Sequence, residues 1–290
     1  MPANKTILVA GATGNQGSAV ARNLLLNGFR VKALTRNPSS PAAQKLAALN
    51  AEIVQGDLDS PASIVPHLKD VEGIFCVLAF TKGIEKEIRQ GVALANLAKE
   101  NEIGHYLYSS VVGADLSTGI PHWESKFKIE THIKQIGLPY TIIRPASFFD
   151  NFLIPQVRDR LLKGKLVTPV RKSKNQQYIA CEDIGRISTA IFLEPGKYIG
   201  HVKTIASEQL DGQQTADVFS KVWQQNIKYQ QLPGFITRLV MGGDLHKMFS
   251  WINQHGGVFI KDLPSVQKEF PGMMRLEEWV PRFFKRINSQ

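Results

Sequence analysis

Short apolar runs alternate with segments of helical period along the first half of the chain. Ile7 to Val9 is an apolar run with two β-branched residues, which predicts a buried strand. Apolar residues recur at helical spacing from Val20 to Leu25 and predict a helix. Further runs predict strands at 30–34, 53–54, 73–78, 105–109 and 140–143, and helices at 42–49, 60–68, 84–99 and 122–136. Such alternation is typical of an α/β protein with a doubly wound parallel sheet, covered on both faces.

A glycine-rich turn joins the first predicted strand to the first helix. Gly11, Gly14 and Gly17 follow one another at three-residue spacing. In the Rossmann-type unit that binds dinucleotides, one glycine makes a sharp turn, one lets the main chain approach the pyrophosphate, and one lets the helix pack on the strand. The helix N-terminus offers unpaired N–H groups to the phosphates. An ordinary strand-to-helix turn is the alternative. The polar side chains that can add hydrogen bonds are Thr13, Asn15 and Gln16.

The regular alternation ends near Arg144 and Pro145. Beyond them the pattern predicts shorter helices at 213–224 and 276–285, strands at 177–180 and 202–205, and glycine turns at 242–243 and 256–257. We therefore expect two domains. Residues 1–150 would form the dinucleotide-binding Rossmann domain, and residues 151–290 a smaller mixed C-terminal lobe that faces a substrate or partner, with some segments returning to the sheet.

The residue that follows the second predicted strand indicates which dinucleotide is bound. An NAD site usually carries an acidic residue there, but no Asp or Glu occurs before Glu52. Arg36 occupies the expected place, and a guanidinium matches a 2′-phosphate bidentately. Lys32, Asn37 and Ser39 could assist. This pattern favours NADP(H), with an ordinary surface arginine as the alternative. The pair expected to line the adenine pocket after the third strand is Asp57 and Leu58.

Composition and charge narrow the class of protein. The chain has 290 residues, 43% of them hydrophobic, and a formal net charge of +10, an ordinary globular balance with affinity for anions. Its two cysteines, Cys76 and Cys181, cannot form a disulfide framework, and no apolar stretch is long enough to span a bilayer. With no leader pattern, we expect a cytoplasmic protein without membrane contact.

The sequence gives little support for a reactive cysteine, a metal site or a nucleic-acid site. Cys76 lies in an apolar strand, and Cys181 precedes an acidic pair that disfavours a thiolate. The histidines are scattered, so we expect no metal site. Basic residues concentrate at 158–174 without interleaved aromatic residues, which argues against nucleic acid and favours a solvated face.

Nine short motifs follow one another along the chain. They are GATGNQG at 11–17, TRN at 35–37, GDL at 56–58, YSSV at 108–111, HWESK at 122–126, RP at 144–145, FFDNF at 148–152, EDIG at 182–185 and LEEW at 276–279. Their order resembles the NmrA-like group of atypical short-chain dehydrogenases/reductases. The chain is most similar to the branch that contains the human NmrA-like redox sensor. The resemblance covers nearly the whole chain and implies an NADP(H)-binding protein.

The same resemblance places the expected chemistry. The wider superfamily uses a Tyr-x-x-x-Lys pair, but here no tyrosine has a lysine four residues later, and His122 stands in its place before Lys126. Lys126 is then expected to hold the nicotinamide ribose, and His122 is either a proton donor or a bystander. Ser109 and Ser110 would line the nicotinamide pocket, with a simple turn at the end of the strand as the alternative. The wall beside the nicotinamide would run from Pro145 to Phe148.

Two functions remain open at this point. One is an NADP(H) sensor or regulator that does little chemistry, because the catalytic tyrosine is missing. The other is an NADPH-dependent reductase of a quinone or another carbonyl, with Lys126 and His122 assisting hydride transfer. A third and weaker hypothesis is a transcriptional co-regulator whose basic stretch meets an acidic protein partner. Oligomer formation is left open.

Overall fold

The computed structural model describes residues 5–79 and 83–287 of the chain. The strands are β1 (Thr6–Ala10), β2 (Arg30–Thr35), β3 (Glu52–Gln55), β4 (Gly73–Val77), β5 (His105–Ser109), β6 (Tyr140–Pro145), β7 (Ser147–Phe148), β8 (Lys165–Thr168), β9 (Gln176–Ile179), β10 (Val202–Ile205), β11 (Glu208–Leu210) and β12 (Lys228–Gln231). The helices are α1 (Asn15–Leu26), α2 (Pro41–Ala47), α3 (Ile84–Glu100), α4 (Pro121–Gln135), α5 (Pro155–Leu162), α6 (Cys181–Leu193), α7 (Pro195–Tyr198), α8 (Gly212–Trp223), α9 (Gly234–His255), α10 (Leu263–Glu269) and α11 (Leu276–Ile287).

The central sheet has a doubly wound order. Within the described residues its seven strands are parallel and lie in the order β10-β6-β5-β4-β1-β2-β3. Ala10 at the end of β1 pairs with Leu34 of β2 on one side and with Cys76 of β4 on the other. The strand order therefore reverses between β1 and β4, and open α/β sheets bind ligands at the carboxyl ends of the strands beside such a switch point. The predicted Rossmann-type fold class is confirmed.

Helices cover both faces of this sheet. Every residue of β1 and β5 is buried, as expected for parallel strands between two helical layers. On one face, a hydrophobic cluster joins the sheet to α3 and α4. On the other face, α1 packs against α6. Gly185 of α6 allows this close approach, because an added Cβ would lie 2.6 Å from the carbonyl oxygen of Ala19.

The chain divides into two compact units, each of which consists of two separate segments. The first is Met1–Arg144 with Cys181–Lys203, and the second is Pro145–Ala180 with Thr204–Gln290. In the second unit, β7 runs parallel and β11 antiparallel to β9, which makes a small mixed sheet, and β8 pairs with β12. The predicted domains, 1–150 and 151–290, stay a prediction about how the chain is organised.

One local prediction differs from the observed structure, and another coincides with a kink. Residues 60–68 form two short 3₁₀ turns, Pro61–Ser63 and Val65–His67, where the sequence predicted one helix. Pro66 has no N–H group to donate, so an α-helix cannot continue through it without losing a hydrogen bond. The turn predicted at 242–243 coincides with a kink in α9, where Gly242 leaves the helical conformation with φ 83° and ψ 172°.

Candidate functional site

The predicted glycine turn occupies the carboxyl end of β1, beside the switch point. Gly11 has φ +83°, and an added Cβ would lie 2.7 Å from the carbonyl oxygen of Val77, at the end of β4. An added Cβ on Gly17 would lie 2.1 Å from the carbonyl oxygen of Gly11. Both distances are far shorter than real Cβ contacts, so the backbone requires glycine at both positions. The turn therefore brings the start of α1 directly onto the sheet edge.

The N-terminus of α1 is open to an anion. Gly14 precedes the helix as its N-cap, and no side chain caps the first turn, which also contains no acidic residue. Thr13, Gly14 and Asn15 are exposed. The positive end of the helix dipole and its unpaired N–H groups therefore face solvent, as an anion-binding helix requires. Gln16 is partly engaged, because its Oε1 accepts a 2.7 Å hydrogen bond from Ser109 Oγ at the end of β5.

Arg36 lies just beyond β2, at the same edge of the sheet. Its side chain is exposed, and its guanidinium makes no hydrogen bond or ion pair with the residues that the structure describes. The turn that follows is stabilised by its own polar groups, since the Asn37 N–H donates to Thr35 Oγ1 at 3.2 Å and the Ser39 N–H donates to Asn37 Oδ1 at 3.1 Å. A fixed turn thus presents an uncommitted cation.

Lys32 does not assist Arg36. Its ammonium donates to the carbonyl oxygens of His67 and Lys69 at 3.1 and 2.8 Å. The expectation of a helper role for Lys32 is therefore wrong. The side chain is committed to the loop that follows the second 3₁₀ turn, because a mid-strand position in β2 does not reach the carboxyl edge.

Asp57 and Leu58 follow β3 in a tight turn. The Asp57 N–H donates to Ser63 Oγ at 2.9 Å, and its carboxylate accepts from the Asp59 N–H at 3.0 Å. Leu58 is partly buried against the hydrophobic cluster of the sheet. These contacts fix the turn at the carboxyl edge, next to the strand that carries Arg36. Their role in an adenine pocket stays a prediction.

Lys126 sits in a buried polar cluster at the ends of β4 and β5. Its ammonium donates to Glu87 Oε1 at 2.9 Å and lies 3.5 Å from the carbonyl oxygen of Leu78. It also lies 5.8 Å from the centroid of the Tyr108 ring. Glu87 accepts a second hydrogen bond, at 2.6 Å, from Ser125 Oγ. The side chains of Lys126 and Glu87 are 8% and 0% exposed, so water does not screen this pair.

His122 is the second residue of α4 and lies one turn before Lys126. It is buried, and its ring centroid lies 6.3 Å from that of Trp123. Helical spacing places His122 and Lys126 on one face of α4, as the sequence predicts. Tyr108 is a poor acid here, because burial raises the pKa of its phenol well above the ordinary value. The catalytic roles of His122 and Lys126 stay predictions.

A second buried network stands beside the first. Glu130 accepts hydrogen bonds from Arg144 Nε at 2.9 Å, from Arg144 Nη2 at 2.6 Å and from Ser110 Oγ at 2.5 Å. Arg144 also pairs with Asp115 at 2.5 Å. Bidentate pairing of this kind fixes side chains firmly. It ties α4 to the ends of β5 and β6.

Pro145 and Phe148 belong to the second unit. Pro145 ends β6, and Phe148 pairs with Ile179 in the small mixed sheet. Their predicted position beside a nicotinamide stays a prediction.

Glu87 and Glu130 are the residues that the sequence analysis missed. Both are acidic residues on the buried face of a helix. Glu87 shares an apolar stripe of α3 with Gly91, Leu94 and Ala95. An acidic residue at a core position of an amphipathic helix is the signal that could have found it, because buried carboxylates are almost always paired.

The cysteines and the remaining side chains add no further site. Cys76 and Cys181 are buried and form no disulfide, and burial raises the pKa of the Cys76 thiol to about 11. Among the described residues, no group of three or more His, Cys, Asp or Glu side chains could hold a metal ion. None of the helices in the described ranges has the length and apolar character needed to cross a membrane.

Comparison with known proteins agrees with this architecture. An NmrA-like family domain-containing oxidoreductase of Aspergillus hancockii is 29% identical over 304 residues, covering 95% of this chain and 91% of the relative. The crystal structure of NmrA, a negative transcriptional regulator, in complex with NADP has a TM-score of 0.77 at 22% identity and covers 95% of this chain and 94% of that one. The NADPH-dependent quinone oxidoreductase of Escherichia coli, complexed with NADPH, has a TM-score of 0.80 at 22% identity, with coverage of 96% and 99%. The model of the NmrA-like family matches residues 3–280. The chain therefore belongs to the NmrA-like family.

Proposed function

We propose that this protein binds NADP(H) and acts as a sensor or regulator that responds to the cofactor. The pyrophosphate would lie across the N-terminus of α1, where no side chain caps the N–H groups of the first turn from Asn15 to Gly17. The 2′-phosphate would meet the guanidinium of Arg36. The observation that carries the proposal is this exposed and uncommitted cation at the end of β2, in a chain segment without any acidic residue.

Relatives support the choice of cofactor. A solved structure of NmrA contains NADP, and that of the Escherichia coli quinone oxidoreductase contains NADPH. The proposal for this chain extends that chemistry to its own Arg36. It includes a cytoplasmic location, in keeping with two cysteines that form no disulfide.

Calorimetric titration with NADPH and NADH tests the proposal. Arg36→Asp should weaken NADPH binding roughly 100-fold, because it removes a charge-assisted bidentate contact and adds repulsion. NADH affinity should change little, since NADH has no 2′-phosphate. Arg160→Asp, at an exposed position of α5, makes the same change in net charge and serves as the control. No heat with NADPH, or an equal loss for both dinucleotides in Arg36→Asp, would overturn the proposal.

A second candidate function is NADPH-dependent reduction of a quinone or another carbonyl. It is favoured by the lysine–glutamate cluster at the carboxyl ends of β4 and β5, where Lys126 lies one turn from His122. Steady NADPH consumption with a panel of quinones and aldehydes, lost in Lys126→Ala, would support the reductase. Tight NADPH binding without turnover on any acceptor would support the sensor.

A role as co-regulator through protein contacts is the third candidate. The exposed basic residues it would use lie on α5, β8 and the loop that follows, and they are Arg160, Lys163, Lys165, Arg171 and Lys172. Such a surface suits an acidic protein partner. Binding of an acidic partner that weakens as salt rises would support this role.

A further inference from the structure

The carboxylate of Glu87 joins two neighbouring residues of α4. It lies in the first turn of α3 and is 1% exposed. One oxygen accepts from the Lys126 ammonium at 2.9 Å, and the other accepts from Ser125 Oγ at 2.6 Å. Both oxygens are therefore occupied, and the carboxylate has little freedom to rotate.

Stability alone does not account for this arrangement. Removing two charges from water is costly, and apolar residues of similar volume often stabilise a core as well as a buried ion pair does. The rest of the buried stripe of α3 is apolar or small, with Gly91, Leu94 and Ala95. An ion pair in this stripe calls for a role other than packing.

The location of the pair suggests that role. The Lys126 ammonium lies 3.5 Å from the carbonyl oxygen of Leu78, directly after β4, and over the Tyr108 ring near the end of β5. This edge adjoins the switch point where the glycine turn contacts Val77. An ammonium has three N–H donors. Glu87 takes one of them and the Leu78 carbonyl is close to a second, so at least one is left for a ligand among the described contacts.

Without a carboxylate partner, the Lys126 side chain would be free to change its conformation. A lysine side chain has many rotamers, and ordering it on a ligand costs entropy. The fixed carboxylate of Glu87 holds one rotamer in advance and keeps its counter-charge beside the ammonium. The nearest other buried carboxylate on α4, that of Glu130, is already occupied by Arg144 and Ser110.

We propose that Glu87 is a positioning residue, which holds the Lys126 ammonium at the end of β4 so that its remaining donors meet the hydroxyls of the nicotinamide ribose. The hydroxyl group of Ser125 fixes the orientation of the Glu87 carboxylate. The inference rests on the proposed binding of NADP(H) and adds a residue to that site.

Two ligands distinguish binding at the adenosine end of the proposed site from binding at its nicotinamide end. Adenosine 2′,5′-bisphosphate carries the 2′-phosphate but no nicotinamide ribose, whereas NADPH carries both. Glu87→Gln removes the charge and keeps an oxygen for Ser125. It should weaken NADPH roughly 10-fold or more and leave the affinity for the bisphosphate within about twofold. An equal loss for both ligands, or no loss for NADPH, would overturn the inference.

A double-mutant cycle tests whether Glu87 acts through Lys126. Lys126→Met should weaken NADPH, and adding Glu87→Gln to it should cause no further loss. The double variant removes both buried charges, so it gives an answer even where Glu87→Gln alone does not fold. A further NADPH loss in the double variant would contradict the inference. Failure of the unmodified protein to bind either ligand would instead refute the proposed cofactor.

Discussion

The two ends of the candidate cofactor site are built in opposite ways. At the adenosine end, the glycine turn and the exposed Arg36 present backbone N–H groups and a guanidinium that the described residues leave uncommitted. At the proposed nicotinamide end, Lys126 and Glu87 are buried and form an ion pair. The first end depends on backbone shape, and the second depends on paired side chains.

This difference suggests that the two ends contribute differently, the adenosine end mainly to affinity and the nicotinamide end mainly to positioning. An open, preformed anion site binds without rearrangement, so most of the binding free energy for a dinucleotide should come from the adenosine end. A buried, internally neutral cluster should add less to affinity, but it would fix the position of the Lys126 ammonium beside the proposed nicotinamide ribose. Changes at the two ends should therefore have distinct signatures.

The largest effect is expected from Gly17→Ala. The new Cβ would lie 2.1 Å from the carbonyl oxygen of Gly11 and 2.9 Å from the Cα of Ala12, so α1 must move off the strand. We expect a loss of about 3 kcal/mol or more in the free energy of unfolding, together with loss of NADPH binding. Urea denaturation and calorimetric titration measure the two quantities.

Gly14→Ala is the matched control for that change. Its Cβ would lie 3.4 Å from the Gly11 carbonyl, an ordinary contact, and Gly14 has φ −88°. The variant should keep its stability within about 1 kcal/mol but lose NADPH affinity, because the methyl group stands over the helix N-terminus. If the two substitutions destabilised the protein equally, the close packing of α1 on β1 would not depend on Gly17.

Glu130→Gln sharpens the contrast at the other end. Glu130 is a second buried carboxylate, bonded to Arg144 and Ser110. Removing its charge should cost about 3 kcal/mol of stability, since it leaves a buried guanidinium with less compensation. NADPH affinity should stay within about twofold, unlike that of Glu87→Gln. A selective loss of NADPH binding would mean that both networks serve the cofactor.

The smallest effect concerns the opposite end of β5. Burial, with a smaller contribution from Lys5, lowers the pKa of His105 from 6.5 to about 4. The folded protein favours the neutral His105 ring over the protonated one. The contribution of this preference to the free energy of unfolding is therefore fully present above pH 6.5 and is lost as the pH falls from 6.5 towards 4. The loss is at most about 3 kcal/mol.

His105→Gln provides the comparison for this acid sensitivity. Thr141 Oγ1 donates to the carbonyl oxygen of Tyr198, so His105 Nε2 must donate to Thr141, and a glutamine amide can do the same. Denaturation at pH 7 and pH 4 should show a smaller loss in the variant. NADPH affinity at pH 7 should be equal in both proteins, because His105 lies away from the carboxyl edge. An equal acid loss would exclude His105 as its source.

The positions of the glycine turn and Arg36 depend on local sequence, which is why they could be predicted, whereas their role in binding adenosine stays a prediction. Strand β1, the turn and α1 are consecutive, and Arg36 directly follows β2. Their placement needs only strand and helix periodicity and the backbone demands of glycine. The pattern also predicted the parallel sheet.

The nicotinamide end required packing information that the sequence does not show. Glu87 and Lys126 are 39 residues apart, and their contact exists only because α3 packs beside α4. The sequence placed Lys126 on α4, but its carboxylate partner was missed. Likewise, periodicity suggested one helix at 60–68, where the prolines of two 3₁₀ turns decide the backbone.

The contact between α6 and α1 has a consequence for biosynthesis. Gly185 meets the Ala19 carbonyl, and Glu182 accepts hydrogen bonds from Arg22 and Asn23. The ribosome finishes α1 long before α6, since β2 to β9 are made in between. A nascent chain therefore leaves the side of α1 that faces α6 uncovered until translation has passed Leu193.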